Sequence, residues 1–172
     1  MKKVVLLIML VLVTSCIDVN NKPDIKINEF FDKYIKLDDE VLRDIDKKML
    51  EAELDNEIKL VAKNAYKRQF KNIKYKIINI NEYKNYAKAK ISVSLYDYEA
   101  TKEEAENYID SHVEEFMVNN EVDYIKEKKY IFEKLNKTNK RKKEIIYIKL
   151  HKDNNNWKVD DLSNETLLKL QG

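Results

Sequence analysis

The stretch YAKAKISVSLYDY (residues 86–98) decides the fold. Alternate residues within it are apolar: Ala87, Ala89, Ile91, Val93 and Leu95. The residues between them, from Lys88 to Ser94, are lysine or serine. A period of two with one apolar side predicts a long strand that buries one face and exposes the other. Such strands are typical of antiparallel sheets that are covered on one side only.

Shorter segments with a period of two surround this strand. Residues 75–80 come before it, across a polar turn at 81–85. Residues 144–152 and 157–162 follow, and the asparagine-rich segment 153–156 joins them as a hairpin turn. The chain has a single glycine, so asparagine, which tolerates left-handed backbone angles, must form the tight turns. We therefore predict two antiparallel hairpins.

Apolar residues spaced three and four apart predict helices before and between these hairpins. The first helix covers residues 24–37, and the second begins at Asp38 or Asp39 and has a break near Asp55. Thr101 and Glu104 have the spacing of a capping box, which predicts the start of a third helix. A further helical stretch follows Asn119 and Asn120. The sequence thus predicts an α+β domain of order ααββαββ, in which helices cover one face of an antiparallel sheet.

Four pieces of the chain resemble the nuclear transport factor 2-like (cystatin-like) superfamily, and most of all the lipoproteins of unassigned activity from AT-rich bacteria that carry this domain. The pieces are INEFFDKYIKLDDEVL (27–42), IKYKIINI (73–80), YAKAKISVSLYDYEA (86–100) and IKLHKDNNNWKVDDLSNETLLKLQG (148–172). The resemblance implies a curved sheet wrapped around helices into a cone, whose open end holds a ligand or a partner's side chain. Residues 101–137 depart from the family pattern, so we carry no functional residue over.

The first sixteen residues, MKKVVLLIMLVLVTSC, have the pattern of a secretory signal. Lys2 and Lys3 precede an apolar run at 4–13, and small residues stand directly before Cys16. This pattern resembles the bacterial lipobox, in which the cysteine receives acyl chains such as palmitate and the preceding peptide is removed. We therefore predict a signal peptide at 1–15, a lipidated tether at 16–23 and one domain at 24–172. The expected location is the cell membrane or the outer membrane, outside the cytoplasm, with membrane lipid as a partner through Cys16.

Two other interpretations of this segment compete with lipidation. A transmembrane helix needs about 20 apolar residues, whereas the apolar run here has ten, from Val4 to Val13. An ordinary secretory signal that happens to contain a cysteine would instead release a soluble protein.

Charge and composition exclude several classes of function. Removing residues 1–15 takes away two lysines and leaves equal numbers of basic and acidic residues, so the chain has no net positive charge to favour nucleic-acid binding. A single glycine leaves no phosphate-binding loop, and two distant histidines do not predict a zinc site. We expect no cofactor and no metal.

The one basic run, KRKK at 140–143, is read as a solvated strand entry, with contact to anionic lipid head groups as the alternative.

Three residues are candidates for lining a cavity: Asp97, His112 and Trp157. Asp97 follows the inward residues of the long strand, so it lies either at a cavity rim or at a solvated strand end. His112 lies on the apolar side of its predicted helix, where a packing role competes with a catalytic one. The sole tryptophan, Trp157, is read as a plug that closes the cone, against exposure for binding.

These observations favour a non-enzymatic envelope domain that binds a protein or a small ligand. The alternative is a small-molecule enzyme of the isomerase or dehydratase type, which would place an ionisable residue within an apolar cone. In a third hypothesis, residues 101–137 modulate an envelope complex. A cavity lined by Asp97, His112 and tyrosines would favour the enzyme, whereas a cavity filled by Phe116, Ile125 or Trp157 would favour the binding module.

Overall fold

The computed structural model describes residues 21–171. This part of the chain forms six α-helices, a four-stranded antiparallel sheet and a small two-stranded sheet. The α+β class is therefore confirmed. The predicted signal peptide, Cys16 and the first residues of the predicted tether lie outside the described residues.

Helices and strands alternate in blocks along the chain. The first block consists of α1 (Pro23–Lys36), α2 (Asp39–Glu51) and α3 (Asn56–Lys71). The hairpin of β1 (Lys74–Glu82) and β2 (Tyr86–Tyr96) follows. The middle region contains α4 (Tyr98–Ser111), a 3-10 turn (Val113–Phe116), β3 (Met117–Val118), β4 (Glu121–Val122) and α5 (Tyr124–Lys137). The chain then forms β5 (Arg141–Asp153), β6 (Asn156–Val159) and α6 (Asn164–Gln171).

The observed order contains more elements than the predicted ααββαββ. The predicted second helix is divided because Asp55 acts as an N-cap, its carboxylate accepting the backbone N–H of Glu57 at 2.8 Å. Asn119 and Asn120 have φ angles of 54° and 65° and form the turn of the β3–β4 hairpin, which separates α4 from α5. Helix α6 adds a further element after the sheet.

The capping box predicted at Thr101 is wrong. The N-cap of α4 is Asp97, four residues earlier, whose carboxylate accepts the backbone N–H of Ala100 at 3.1 Å. Thr101 lies within the first turn, where its hydroxyl donates to the carbonyl of Asp97 at 2.7 Å. The same hydroxyl lies 2.9 Å from that of Thr138, at the end of α5.

The larger sheet has the order β1-β2-β5-β6, and all its neighbouring strands are antiparallel. The apolar side of β2 is fully buried, as its sequence pattern predicts: Ala87, Ala89, Ile91, Val93 and Leu95 each have 0% exposure. Ile91 pairs with Ile146, and Ala89 pairs with Ile148, so β5 continues the same buried face. Helices cover this face, and Phe31 of α1 stacks on Tyr75 of β1 at 4.0 Å between ring centres.

Two hydrophobic cores result from this packing. The first fills the space between the sheet and α1, α2 and α3, and includes Trp157 and Leu170. The second lies among α3, α4 and α5 and is built from Ala65, Tyr98, Ala105, Ile109, Phe116, Ile131 and Leu135. In the described part of the chain, the buried members of both cores run from Ile27 to Leu170. Among residues 21–171, no helix combines the length and hydrophobicity that a bilayer crossing requires.

Candidate functional site

The three candidate cavity residues lie far apart. Asp97 caps the first turn of α4, and His112 follows the last residue of the same 14-residue helix. At 1.5 Å per residue, this helix separates the two side chains by about 20 Å. Trp157 lies on β6 and pairs with Lys152, near the end of β2 that is opposite to Asp97. The three residues therefore do not line one cavity.

His112 is exposed, so its predicted place on the buried side of the helix is wrong. The backbone leaves helical geometry at this residue, where φ is −132°. The imidazole stacks on Tyr108 at 4.0 Å between ring centres, and its Nδ1 lies 3.0 Å from the Tyr108 carbonyl oxygen. These contacts give His112 a place in the surface packing at the end of α4.

Trp157 is buried, with 3% of its surface exposed, so the alternative of an exposed tryptophan is wrong. The ammonium group of Lys152 lies 4.6 Å from the centre of the indole ring, within the range of a cation–π contact. The backbone N–H of Trp157 donates to the side-chain oxygen of Asn21 at 2.7 Å. The first described residue of the chain is thus held against β6.

Two grooves are candidates for ligand binding. The first, which we call the α1 groove, lies between α1, α2 and β6 and has a volume of about 830 Å³. Carboxylates outnumber lysines along its lining, and two of its lysines, Lys26 and Lys33, form ion pairs with Glu29 and Glu40 at 2.8 Å each. These pairs leave the α1 groove with an excess of negative charge at its rim.

The second, which we call the helical groove, is the more hydrophobic of the two. It has a volume of about 680 Å³ and lies among α3, α4, α5, α6 and the start of β5. Its apolar lining is contributed by Leu54, Ala65, Tyr66, Ile131, Phe132, Leu135 and Leu168. Ligand sites are commonly clefts of about 300–1,000 Å³ with a mostly hydrophobic lining and a few polar groups. The helical groove has both properties.

Lysines dominate the rim of the helical groove. Its charged residues are Glu99, Lys102, Lys128, Lys142, Glu144 and Lys169, an excess of two positive charges. Lys142 lies 3.1 Å from Glu99 and 3.9 Å from Glu144. Lys102 and Lys169 pair with carboxylates outside the groove lining, Glu106 at 3.5 Å and Glu165 at 2.6 Å. The carboxylates of Glu99, Glu106 and Glu165 are exposed, and such ion pairs are weak, about 0–1 kcal/mol, so an anion can compete for these lysines. The rim favours a ligand with a negatively charged end.

Among the described residues, Tyr66 and Tyr98 are the two that bring a hydroxyl group to the lining of the helical groove. The hydroxyl of Tyr98 donates to the carbonyl of Ala65 at 2.8 Å. Burial raises the pKa of this phenol to about 12, so it stays protonated at neutral pH with its proton committed to a hydrogen bond. Tyr98 is therefore placed as a structural residue of the groove floor and not as a base or nucleophile.

The groove lining contains no histidine and no cysteine in the described part of the chain. No cluster of three or more metal-ligating side chains occurs within residues 21–171 either. The lining residues offer hydrophobic contact, four lysine ammonium groups and the carboxylates of Glu99 and Glu144.

The wall that α6 contributes is held by a buried glutamine that the sequence analysis missed. Gln69 of α3 has 0% exposure, and its amide group donates to the backbone carbonyls of Tyr96 at 3.0 Å and Gln171 at 3.2 Å. Lys48 of α2 donates to the side chain of Gln171 at 2.6 Å. A signal for Gln69 exists in the sequence, since it continues the buried helical series of Ile58, Ala62 and Ala65.

Comparisons with models of protein families, with curated proteins and with solved structures find no match for this chain.

Proposed function

We propose that this chain is a bacterial lipoprotein, lipidated at Cys16 and anchored to the cell membrane or outer membrane, whose domain binds a ligand without catalysis. The sequence around Cys16 supports the anchor. Asn21 is five residues beyond Cys16 and is fixed against β6, and five residues can span about 18 Å at most. The domain is thus held close to the membrane surface.

We infer, in addition, that the domain is a nuclear transport factor 2-like cone. Two antiparallel hairpins in one sheet, with helices on one face only, support this inference. The region of residues 101–137, which departs from the family pattern, packs beside α3 in a core of its own. This arrangement favours a ligand site between the helices.

The helical groove is the observation that carries the binding proposal. Its apolar lining fits a hydrocarbon body or a ring system, and its lysine rim fits a carboxylate or phosphate at one end. The proposed ligand is therefore a small amphipathic anion. We do not propose the enzyme alternative, because Asp97 serves as a helix cap and His112 lies about 20 Å away from it.

Acylation is tested by metabolic labelling with a fatty acid in cells that produce the full chain or its Cys16→Ser variant. We expect label in the full chain and none in the variant. Equal labelling of the two proteins would refute the anchor.

Ligand binding is tested with 11-(dansylamino)undecanoic acid, a fluorescent amphipathic anion, and with its methyl ester as the uncharged control. Leu168 is 68% exposed and lines the helical groove, so Leu168→Asp places a charge at the wall without disturbing the core. Loss of one apolar contact of about 1.5–3 kcal/mol predicts binding that is weaker by about 10- to 100-fold.

Leu60→Asp is the matched control, since Leu60 is 61% exposed on α3 and does not line the groove. We expect its binding to equal that of the unchanged protein, and we expect the ester to bind less tightly than the acid. Equal probe binding by the Leu168 and Leu60 variants would refute the groove as the binding site.

A further inference from the structure

The face of the large sheet that points away from the helices, which we call the open face, carries a concentration of lysines. They come from three neighbouring strands: Lys74 and Lys76 on β1, Lys88 and Lys90 on β2, and Lys143 and Lys149 on β5. The register brings their strands side by side, and all but the partly exposed Lys90 are exposed. The helices of the first core pack on the opposite face of the sheet, so these lysines point away from that core.

These six lysines lack carboxylate partners among the described residues, where no ion pair within 4.0 Å involves any of them. The two carboxylates at one end of the face pair with other residues: Asp160 contacts His151, and Asp153 contacts Lys158. Lys88 and Lys149 are direct cross-strand partners. Like charges directly opposite one another destabilise a sheet, and a bound anion would relieve this repulsion.

Exposed apolar side chains lie among the lysines. Ile145 and Tyr147 on β5 are 38% and 49% exposed, and Tyr86 at the end of β2 is 53% exposed. The Lys88 ammonium lies 4.7 Å from the centre of the Tyr147 ring. Lysines with apolar stems beside tyrosine match the chemistry of a membrane interface, where apolar atoms approach the acyl chains and charged ends reach the phosphates.

We propose that the open face lies on the anionic phospholipid head groups of the membrane that holds Cys16. This proposal rests on the proposed anchor. The tether is short, and it joins the domain at the β5–β6 turn, at the end of the sheet where Tyr86 and His151 pair. The chain beyond residue 15 has equal numbers of basic and acidic residues, so the six lysines give the open face a positive charge that this part of the chain as a whole lacks.

The test uses the chain that begins at Ile17, which retains every buried core residue of the described part. Its binding is measured by flotation with vesicles of 30% phosphatidylglycerol in phosphatidylcholine, and with vesicles of phosphatidylcholine alone. A lysine near an anionic membrane contributes about 1 kcal/mol, or about fivefold in binding. The variant that combines Lys76→Gln, Lys88→Gln and Lys149→Gln should therefore bind the anionic vesicles about 100-fold more weakly.

The matched control combines Lys36→Gln, Lys47→Gln and Lys137→Gln, which removes the same charge from exposed positions on α1, α2 and α5. We expect it to bind anionic vesicles as the unchanged protein does, and we expect no protein to bind phosphatidylcholine alone. An equal loss in both variants would overturn the proposal, since net charge and not the open face would then explain binding. Tighter binding to duplex DNA than to the anionic vesicles at the same salt concentration would overturn it in favour of a nucleic acid.

These proteins lack Cys16, so acylation does not influence the outcome. Failure of the labelling experiment would refute the anchor while vesicle binding could persist. Loss of vesicle selectivity, with labelling of Cys16 intact, would refute the orientation alone.

Discussion

Replacing Gln69 is expected to destabilise the junction between α3, the sheet and α6. The register of β1 with β2 ends at the pair of Lys74 and Ser94, so Tyr96 extends beyond β1. Gln69 takes the place of a strand there: its side-chain oxygen accepts the N–H of Tyr96 at 2.9 Å, and its amide group donates to the Tyr96 carbonyl at 3.0 Å. The same amide group reaches the Gln171 carbonyl at 3.2 Å.

Gln69→Leu keeps a buried side chain of similar size and removes all three hydrogen bonds. Each bond contributes about 0.5–1.5 kcal/mol net, which predicts a loss of about 3 kcal/mol in the free energy of unfolding. Tyr96 and Gln171, which would lose a partner, are themselves partly buried. Leaving their backbone groups unpaired would therefore add to this loss. Because Gln171 is released, α6 should also lose protection from hydrogen exchange before the rest of the domain does.

The assay is urea denaturation of the chain from Ile17, followed by the fluorescence of Trp157, the only tryptophan. Gln69→Glu is the informative second variant, because its carboxylate can accept from Tyr96 but cannot donate to the carbonyls. Burial and these carbonyls should raise the pKa of the new carboxyl group, so the variant should lose stability relative to the unchanged protein as pH rises above about 4. A stability of Gln69→Leu within about 0.5 kcal/mol of the unchanged protein would refute the reasoning.

Two further predictions concern aromatic residues. Trp157→Ala removes a core side chain and should lower the free energy of unfolding by about 3–5 kcal/mol; an unchanged melting temperature in circular dichroism would contradict its burial. Tyr98→Phe should cost about 1 kcal/mol at pH 7. Because the Tyr98 pKa is raised to about 12, folding favours the neutral phenol, and the stability it contributes is lost as pH rises from 10 to 12. Denaturation at pH 7 and 11 should therefore show a smaller alkaline loss for the variant than for the unchanged protein.

Much of the sheet was predictable because its strands alternate with a regular period. The buried residues of β2 and the turn at Asn154 and Asn155, whose φ angles are 49° and 64°, follow from sequence alone. The start of α4 was not predicted from the sequence. Asp97 directly follows β2 and also caps the helix, so a strand pattern and a helix-start pattern overlap at that position. The side chain of Thr101 fitted a capping box but bonds to Asp97 and Thr138 instead.

The helical groove was beyond sequence reasoning. Its lining extends from Leu54 to Gln171 and comes mainly from four helices and one strand. The periodicity of each segment does not predict how these elements pack together. His112 illustrates the same limit on a smaller scale. It lies just after Ser111, the last residue of α4, where the apolar spacing of the helix no longer predicts burial. The open face could be anticipated in part, since the alternating lysines of β2 are visible in the sequence, but their alignment with those of β1 and β5 required the strand register.

The edge strand β1 affects how neighbouring copies of this protein can crowd together. Its register with β2 shifts between Ile77 and Asn79, and Lys74 and Lys76 stand on the same strand. An irregular edge that carries lysines is a poor template for another strand. Copies confined to a two-dimensional layer collide far more often than copies in dilute solution, and an uninterrupted apolar edge would allow them to join into continuous sheets. With the proposed membrane anchor, the shift in β1 would thus favour lateral dispersal of the copies over fibrous aggregation.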